Sequence, residues 1–185
     1  MDEQKLLKRI ANILEKLKIP YITTGGVAVS VWGRPRFTAD IDLVVEIFAE
    51  QVPRLTRELL KIKDGFVDQE TIERAVVHQD EFNFIHSSSG IKVDFWVMKH
   101  DDAFDKERME RRIRKMIDGQ AVYFASPEDV ILKKLLWYQE SQSTRHLEDI
   151  ESIMRIQENL DVNYLKTWAE RLNVSKIFKQ TLAEK

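Results

Sequence analysis

TTGGVAVSVWGRPRFTADIDLVVEI, residues 23–47, places two aspartates, Asp40 and Asp42, at the mouth of an otherwise apolar, β-branched run. Ahead of them stand a double glycine, Gly25-Gly26, and the basic segment Gly33-Arg34-Pro35-Arg36. Side chains alternate between the faces of a strand, so Asp40 and Asp42 point the same way. Two carboxylates on one face repel each other, and the spacing calls for a compensating cation. Hard divalent ions such as Mg²⁺ take carboxylate oxygens together with substrate phosphates. The glycines allow close backbone approach to an anion, and a helix starting behind them offers free N–H groups. Arg34 and Arg36 carry guanidinium groups suited to bidentate phosphate contact. Taken singly, each feature reads as a turn or a strand edge; their order along the chain is what points to a metal–phosphate site.

Working outward, a third acid tests that reading. Asp94 lies in IKVDFWV between Val93 and Phe95, a setting too apolar for a merely solvated charge. If its strand lies beside that of Asp40 and Asp42, three carboxylates converge, the arrangement that lets two metals align an attacking oxygen with a triphosphate. The segments EFNFIHS and IKVDFWVM form a predicted β-hairpin across Ser-Ser-Gly, and a strand AVYFA follows the turn signal Asp118-Gly119. Residues 3–18 carry apolar positions at helical spacing, closed by Pro20. Residues 21–24 read as a strand, 27–32 as a helix, 41–47 as a strand, 48–63 as a helix and 69–77 as a short helix. From Ser126 onward the pattern is helical, opening on SPEDVILKKLLWYQ with an N-cap serine, a proline at the first helical position and acids in the first turn. The expected architecture is α+β, with a mixed core over 1–125 and a helical subdomain over 126–185 packed on it.

The chain has 185 residues, 43% hydrophobic and 32% charged, with a net charge of −2, which describes a folded protein and argues against a broadly basic nucleic-acid binder. It has no cysteine, which excludes disulfides, thiolate zinc sites and cysteine nucleophiles. The first residues are charged and amphipathic rather than signal-like, and no stretch reaches membrane-helix length, so the cytoplasm is the expected compartment and no membrane partner is expected.

The string Gly25-Gly26, Asp40-Ile41-Asp42 and Asp94 resembles the nucleotidyltransferase superfamily with a DNA polymerase β-like core. The wider set, with Gly33, Arg36 and Thr38, looks like the branch that includes AbiEii-type toxins and their bacterial and archaeal relatives. Ser126-Pro127-Glu128-Asp129-Val130, Lys134 and the stretch Arg145 to Ile150 match the helical part of that branch. One departure is Gly26, where many members carry serine; backbone N–H groups would have to replace that hydroxyl. The resemblance implies that Asp40, Asp42 and Asp94 are catalytic and hold Mg²⁺, two ions being expected. It further implies that Gly25, Gly26, Arg36 and Lys134 bind the nucleotide, with Asp94 helping to activate an acceptor hydroxyl. The implied reaction moves a nucleoside monophosphate from an NTP to a hydroxyl on RNA (tRNA among the candidates), on protein or on a small molecule. A toxin role with an antitoxin partner follows from the resemblance alone. The alternative is a catalytically inactive nucleotide- or partner-binding module of the same fold.

Other features keep two readings. Lys134 without the resemblance is a surface lysine on an amphipathic helix, and Arg145 with Asp149 is either an i,i+4 ion pair or part of the site. The basic run 106–115 is a solvated face or a guide for a polyanionic acceptor. His78, His86, His100 and His146 lack the spacing of a helical zinc site. Ser87-Ser88-Ser89 lacks nucleophile-elbow glycines. Trp32, Trp96, Trp137 and Trp168 read as core.

Overall fold

A computed structural model describes residues 1–183. The chain divides into two compact units, one of residues 1–27 and 37–125, the other of 28–36 and Ser126 onward.

The first unit is built on a seven-stranded mixed sheet of order β3-β4-β5-β2-β1-β7-β6. Its strands are β1 (Tyr21–Thr24), β2 (Asp40–Val45), β3 (Gly65–Phe66), β4 (Glu81–His86), β5 (Ile91–Val97), β6 (Ile113–Ile117) and β7 (Gln120–Phe124). β2 runs parallel to β5 and antiparallel to β1, which in turn runs parallel to β7. The central strands carry β-branched and aromatic residues whose inward set is buried. Ile41, Leu43, Phe82, Phe84, Val93, Phe95 and Phe124 are all within 1% of full burial, and the Phe82 and Phe95 rings stack with centroids 4.7 Å apart. Helix α1 (Glu3–Leu17) is capped by the Asp2 carboxylate, which accepts from the Lys5 N–H. It buries Leu6, Leu7, Ile10, Ala11, Ile13 and Leu14, and lies against β7 and against α3 (Val52–Leu59). Helices α4 (Gln69–His78) and α5 (Ala103–Glu110) complete the unit.

The second unit contains α6 (Pro127–Ser141), α7 (Thr144–Ile156), α8 (Val162–Arg171) and α9 (Ser175–Ala183). Helix α2 (Gly25–Trp32) begins in the first unit and ends in the second. The SPED motif opens α6 as expected. Ser126 Oγ accepts from the Asp129 N–H at 3.1 Å and donates to Asp129 Oδ2 at 2.7 Å. Asp129 is fully buried, its other oxygen accepting from Tyr164 Oη at 2.6 Å, while Glu128 Oε1 accepts from the Asp161 N–H at 2.9 Å. Ser126 caps α6, and the two acids tie that helix to Asp161 and Tyr164 at the start of α8.

Several elements depart from the sequence expectation. Residues 48–63 split into a one-turn 3-10 helix, Ala49–Gln51, and α3. The basic run 106–115 is not one face: it is divided between α5 and the start of β6. β6 pairs with β7 across Asp118-Gly119, both at positive φ (43° and 83°), the two-residue turn that suits the twist of a hairpin. Trp96, expected in the core, is 40% exposed.

Candidate active site

The ladder between β2 and β5 sets the geometry. Asp42 is the register partner of Asp94, and Asp40 that of Lys92. Residues directly opposite in a ladder leave the sheet on the same side. Asp40, Asp42 and Asp94 therefore share one face, as expected, and Lys92, Asn83 and Trp96 share it with them. The opposite face is the apolar core, where Val93, Phe95 and Val97 of β5 are buried. Asp94 is nearly buried at 8% exposure.

Gly25 closes the site from the side of β1, where Thr24 pairs with Asp42. Its φ is +62°, and a Cβ placed there would lie 1.8 Å from Asp42 Oδ2 and 2.6 Å from its Cγ. Only a residue without a side chain lets the backbone at the head of α2 meet the Asp42 carboxylate. Gly26 follows in the first turn of that helix. The double glycine and Asp42 are thus one constellation, 17 residues apart in sequence and in contact in space.

The donor set fits a hard divalent cation in kind: carboxylate oxygens on adjoining strands, on one face, beside a glycine turn. Among the described residues, however, no three His, Cys, Asp or Glu side chains are gathered closely enough to hold an ion as they stand. Asp94 Oδ2 lies 2.9 Å from Lys92 Nζ. The hydrogen bond that the ammonium donates to Asp94 raises the Lys92 pKa above its ordinary value in spite of partial burial, and the charges of Asp94, Asp40 and Glu81 add to it. Sequence reading passed over Lys92, although a lysine two positions before a strand aspartate necessarily shares its face.

Arg36 and Lys134 lie together in the second unit. Asp149 on α7 accepts Arg36 Nε at 2.8 Å on one oxygen, and Arg36 Nη2 at 3.0 Å on the other. The second oxygen also meets Lys134 Nζ at 2.9 Å, and both the Lys134 and Asp149 side chains are 4% exposed. Lys134 is therefore no surface lysine. Its ammonium also lies 4.8 Å from the Trp137 ring centroid. Burial would raise the Asp149 carboxyl, but hydrogen bonds from Arg36 and Lys134 outweigh it and hold the group below its ordinary value. Sequence spacing pointed to Arg145 for Asp149; the ion pairs seen at its carboxylate come from Arg36, over a hundred positions away, and from Lys134.

The basic segment is tied to α7 at further points. The Arg34 N–H donates to Ser152 Oγ at 2.6 Å, and Gln157 Nε2 donates to the Trp32 carbonyl at 2.6 Å. A Cβ on Gly33 would fall 2.7 Å from Ser152 Oγ. An open cavity of about 380 Å³ lies beside Arg34, Arg36, Glu148 and Asp149. The described residues include no helix long and apolar enough to cross a membrane.

A family model described as "Nucleotidyl transferase AbiEii toxin, Type IV TA system" matches residues 7–184. No curated protein matches the chain. Among solved structures, ANT(2")-Ia in complex with adenylyl-2"-tobramycin aligns with a TM-score of 0.61 at 16% identity, covering 92% of this chain and 97% of that one. An antigenic nucleotidyltransferase-like protein from Paracoccidioides brasiliensis gives a TM-score of 0.57 at 21% identity, covering 98% of this chain and 92% of that one. The lincosamide antibiotic adenylyltransferase LnuA, lincomycin-bound, gives 0.53 at 16% identity, covering 85% and 99% respectively. At these identities the three structures speak to a shared fold.

Proposed function

Because the chain belongs to the AbiEii family of nucleotidyltransferase toxins, we propose that its acidic sheet face moves a nucleoside monophosphate from an NTP to an acceptor hydroxyl with the help of Mg²⁺. One observation carries the reading: Asp42 sits in register with Asp94 and in contact with the backbone of Gly25, which puts the acids and the glycine turn at one place. Asp40 and Asp42 would hold the cation, with Asp94 beside them. When bound, Mg²⁺ neutralises and orients the triphosphate, whose transfer asks mainly for positioning and charge compensation. The head of α2 offers its N–H groups to phosphate oxygens through Gly25 and Gly26. The acceptor oxygen bonds to the α-phosphorus as the bond to the β-phosphate oxygen breaks; pyrophosphate leaves, and the hydroxyl proton passes to the Asp94 carboxylate. Arg36 and Lys134 are proposed to serve the nucleotide from their shared partner Asp149, exchanging part of that ion pair for phosphate.

RNA, protein and small-molecule hydroxyls are the acceptor classes to screen, and an antitoxin is the partner proposed from the family. The test incubates the protein with each of the four α-labelled NTPs, Mg²⁺ or EDTA, and cellular RNA, protein and small-molecule fractions. Label should enter one fraction only with Mg²⁺, and Asp42→Asn should cut incorporation by at least about a hundredfold with the fold intact. Incorporation unchanged in that variant would remove the sheet face from the reaction.

A further inference from the structure

Lys92 and Asp94 stand two positions apart on β5, so their side chains leave the sheet on the same face by backbone geometry alone. The ammonium lies 2.9 Å from Asp94 Oδ2, with the lysine side chain 41% exposed and the aspartate side chain 12% exposed. Across the parallel ladder Lys92 faces Asp40, and Asp94 faces Asp42. A positive charge is thus already tethered to Asp94, on the face that Asp40 and Asp42 share. It is fixed by the chain itself, at no cost of association, and its exposed side leaves ammonium donors pointing away from Asp94. An ion arriving at Asp94 would have to displace this ammonium or sit beside it, and like charges a few ångströms apart in a partly buried site repel strongly.

We propose that Lys92 stands in for a second divalent ion at Asp94, so that the acidic face carries a single ion, on Asp40 and Asp42. The inference rests on the functional reading given above and differs from the two ions that the family resemblance implies. Lys92 supplies the positive charge on the Asp94 side of the site and offers its remaining N–H donors to the substrate. Asp94 keeps its carboxylate oriented by the lysine.

The test counts ions rather than turnover. Mn²⁺ is titrated into the full chain with a non-hydrolysable NTP analogue, by calorimetry and by electron paramagnetic resonance, which reports spin coupling between two ions about 4 Å apart. The wild type should bind one uncoupled Mn²⁺ per chain, Lys92→Arg should do the same, and Lys92→Met should bind two with a coupled spectrum. A coupled pair in the wild type, or a single ion in Lys92→Met, overturns the inference and leaves the acidic face as the metal site. Should Lys92→Met fail to fold, the wild-type spectrum decides the matter. Failure of the underlying reading looks different: Mn²⁺ binding that is absent from the wild type, or unaffected by Asp42→Asn, removes the metal from this face altogether.

Discussion

The position that most tightly couples backbone to chemistry is Gly25. Its left-handed φ of +62° costs a residue with a Cβ about 1–2 kcal/mol before any contact is considered. The contact adds to this, since the added methyl would overlap the Asp42 carboxylate and crowd its Cβ, so that the Asp42 side chain would have to shift. Gly25→Ala should therefore lower stability by about 2–3 kcal/mol and lose most nucleotidyl transfer, because either the turn or the carboxylate must move. Denaturant melts and label incorporation check the two losses separately; a variant of wild-type activity would show that the Asp42 carboxylate position is unimportant. Lys92 teaches the complementary lesson. Its identity was in plain sight, but its meaning needed the neighbouring strand, where Asp40 stands opposite it.

Among the elements, α6 and α7 are joined by a buried charge cluster, and that cluster has a pH signature. Arg36 and Lys134 share the Asp149 carboxylate, so Asp149→Ala removes the anion from two cations at once and should cost about 3 kcal/mol or more. Asp149 has its carboxyl held below the ordinary value, so its contribution is complete above the unfolded pKa of about 4 and is lost as pH falls through the folded value. Urea titrations between about pH 3 and pH 6 should show wild-type stability declining at the acid end more steeply than in Asp149→Asn. An identical slope in both proteins would contradict the assignment. The same cluster marks how far sequence reading reaches. The β4–β5 hairpin, β1, α1 and the N-cap of α6 were legible, because each is written in local alternation, helical spacing or capping chemistry. The register of β2 against β5 was not, since it is fixed by a non-local pairing, nor was the bond between Arg36 and Asp149, 113 positions apart. β6 was missed because IRKMI at a sheet edge is mostly exposed and carries charge where a central strand would carry apolar residues.

On the scale of the whole molecule, ion binding should be visible as stability. An ion that binds only the folded chain stabilises it by about 2.7 kcal/mol at a hundredfold excess over its Kd, which for a protein of this size is about 5–10 °C in Tm. Mg²⁺ should raise the melting temperature of the wild type in that range and leave Asp42→Asn unmoved, a comparison that needs neither nucleotide nor acceptor. Equal shifts in both proteins would place the binding elsewhere. The sheet that carries this face ends in β3, two residues long, on one side and in the charged β6, with Arg114 and Lys115, on the other. Both borders are poor templates for strand addition. Crowded copies of the chain are thereby discouraged from zipping edge to edge into fibrils, and recognition by another protein has to use side-chain surfaces instead of a borrowed backbone ladder.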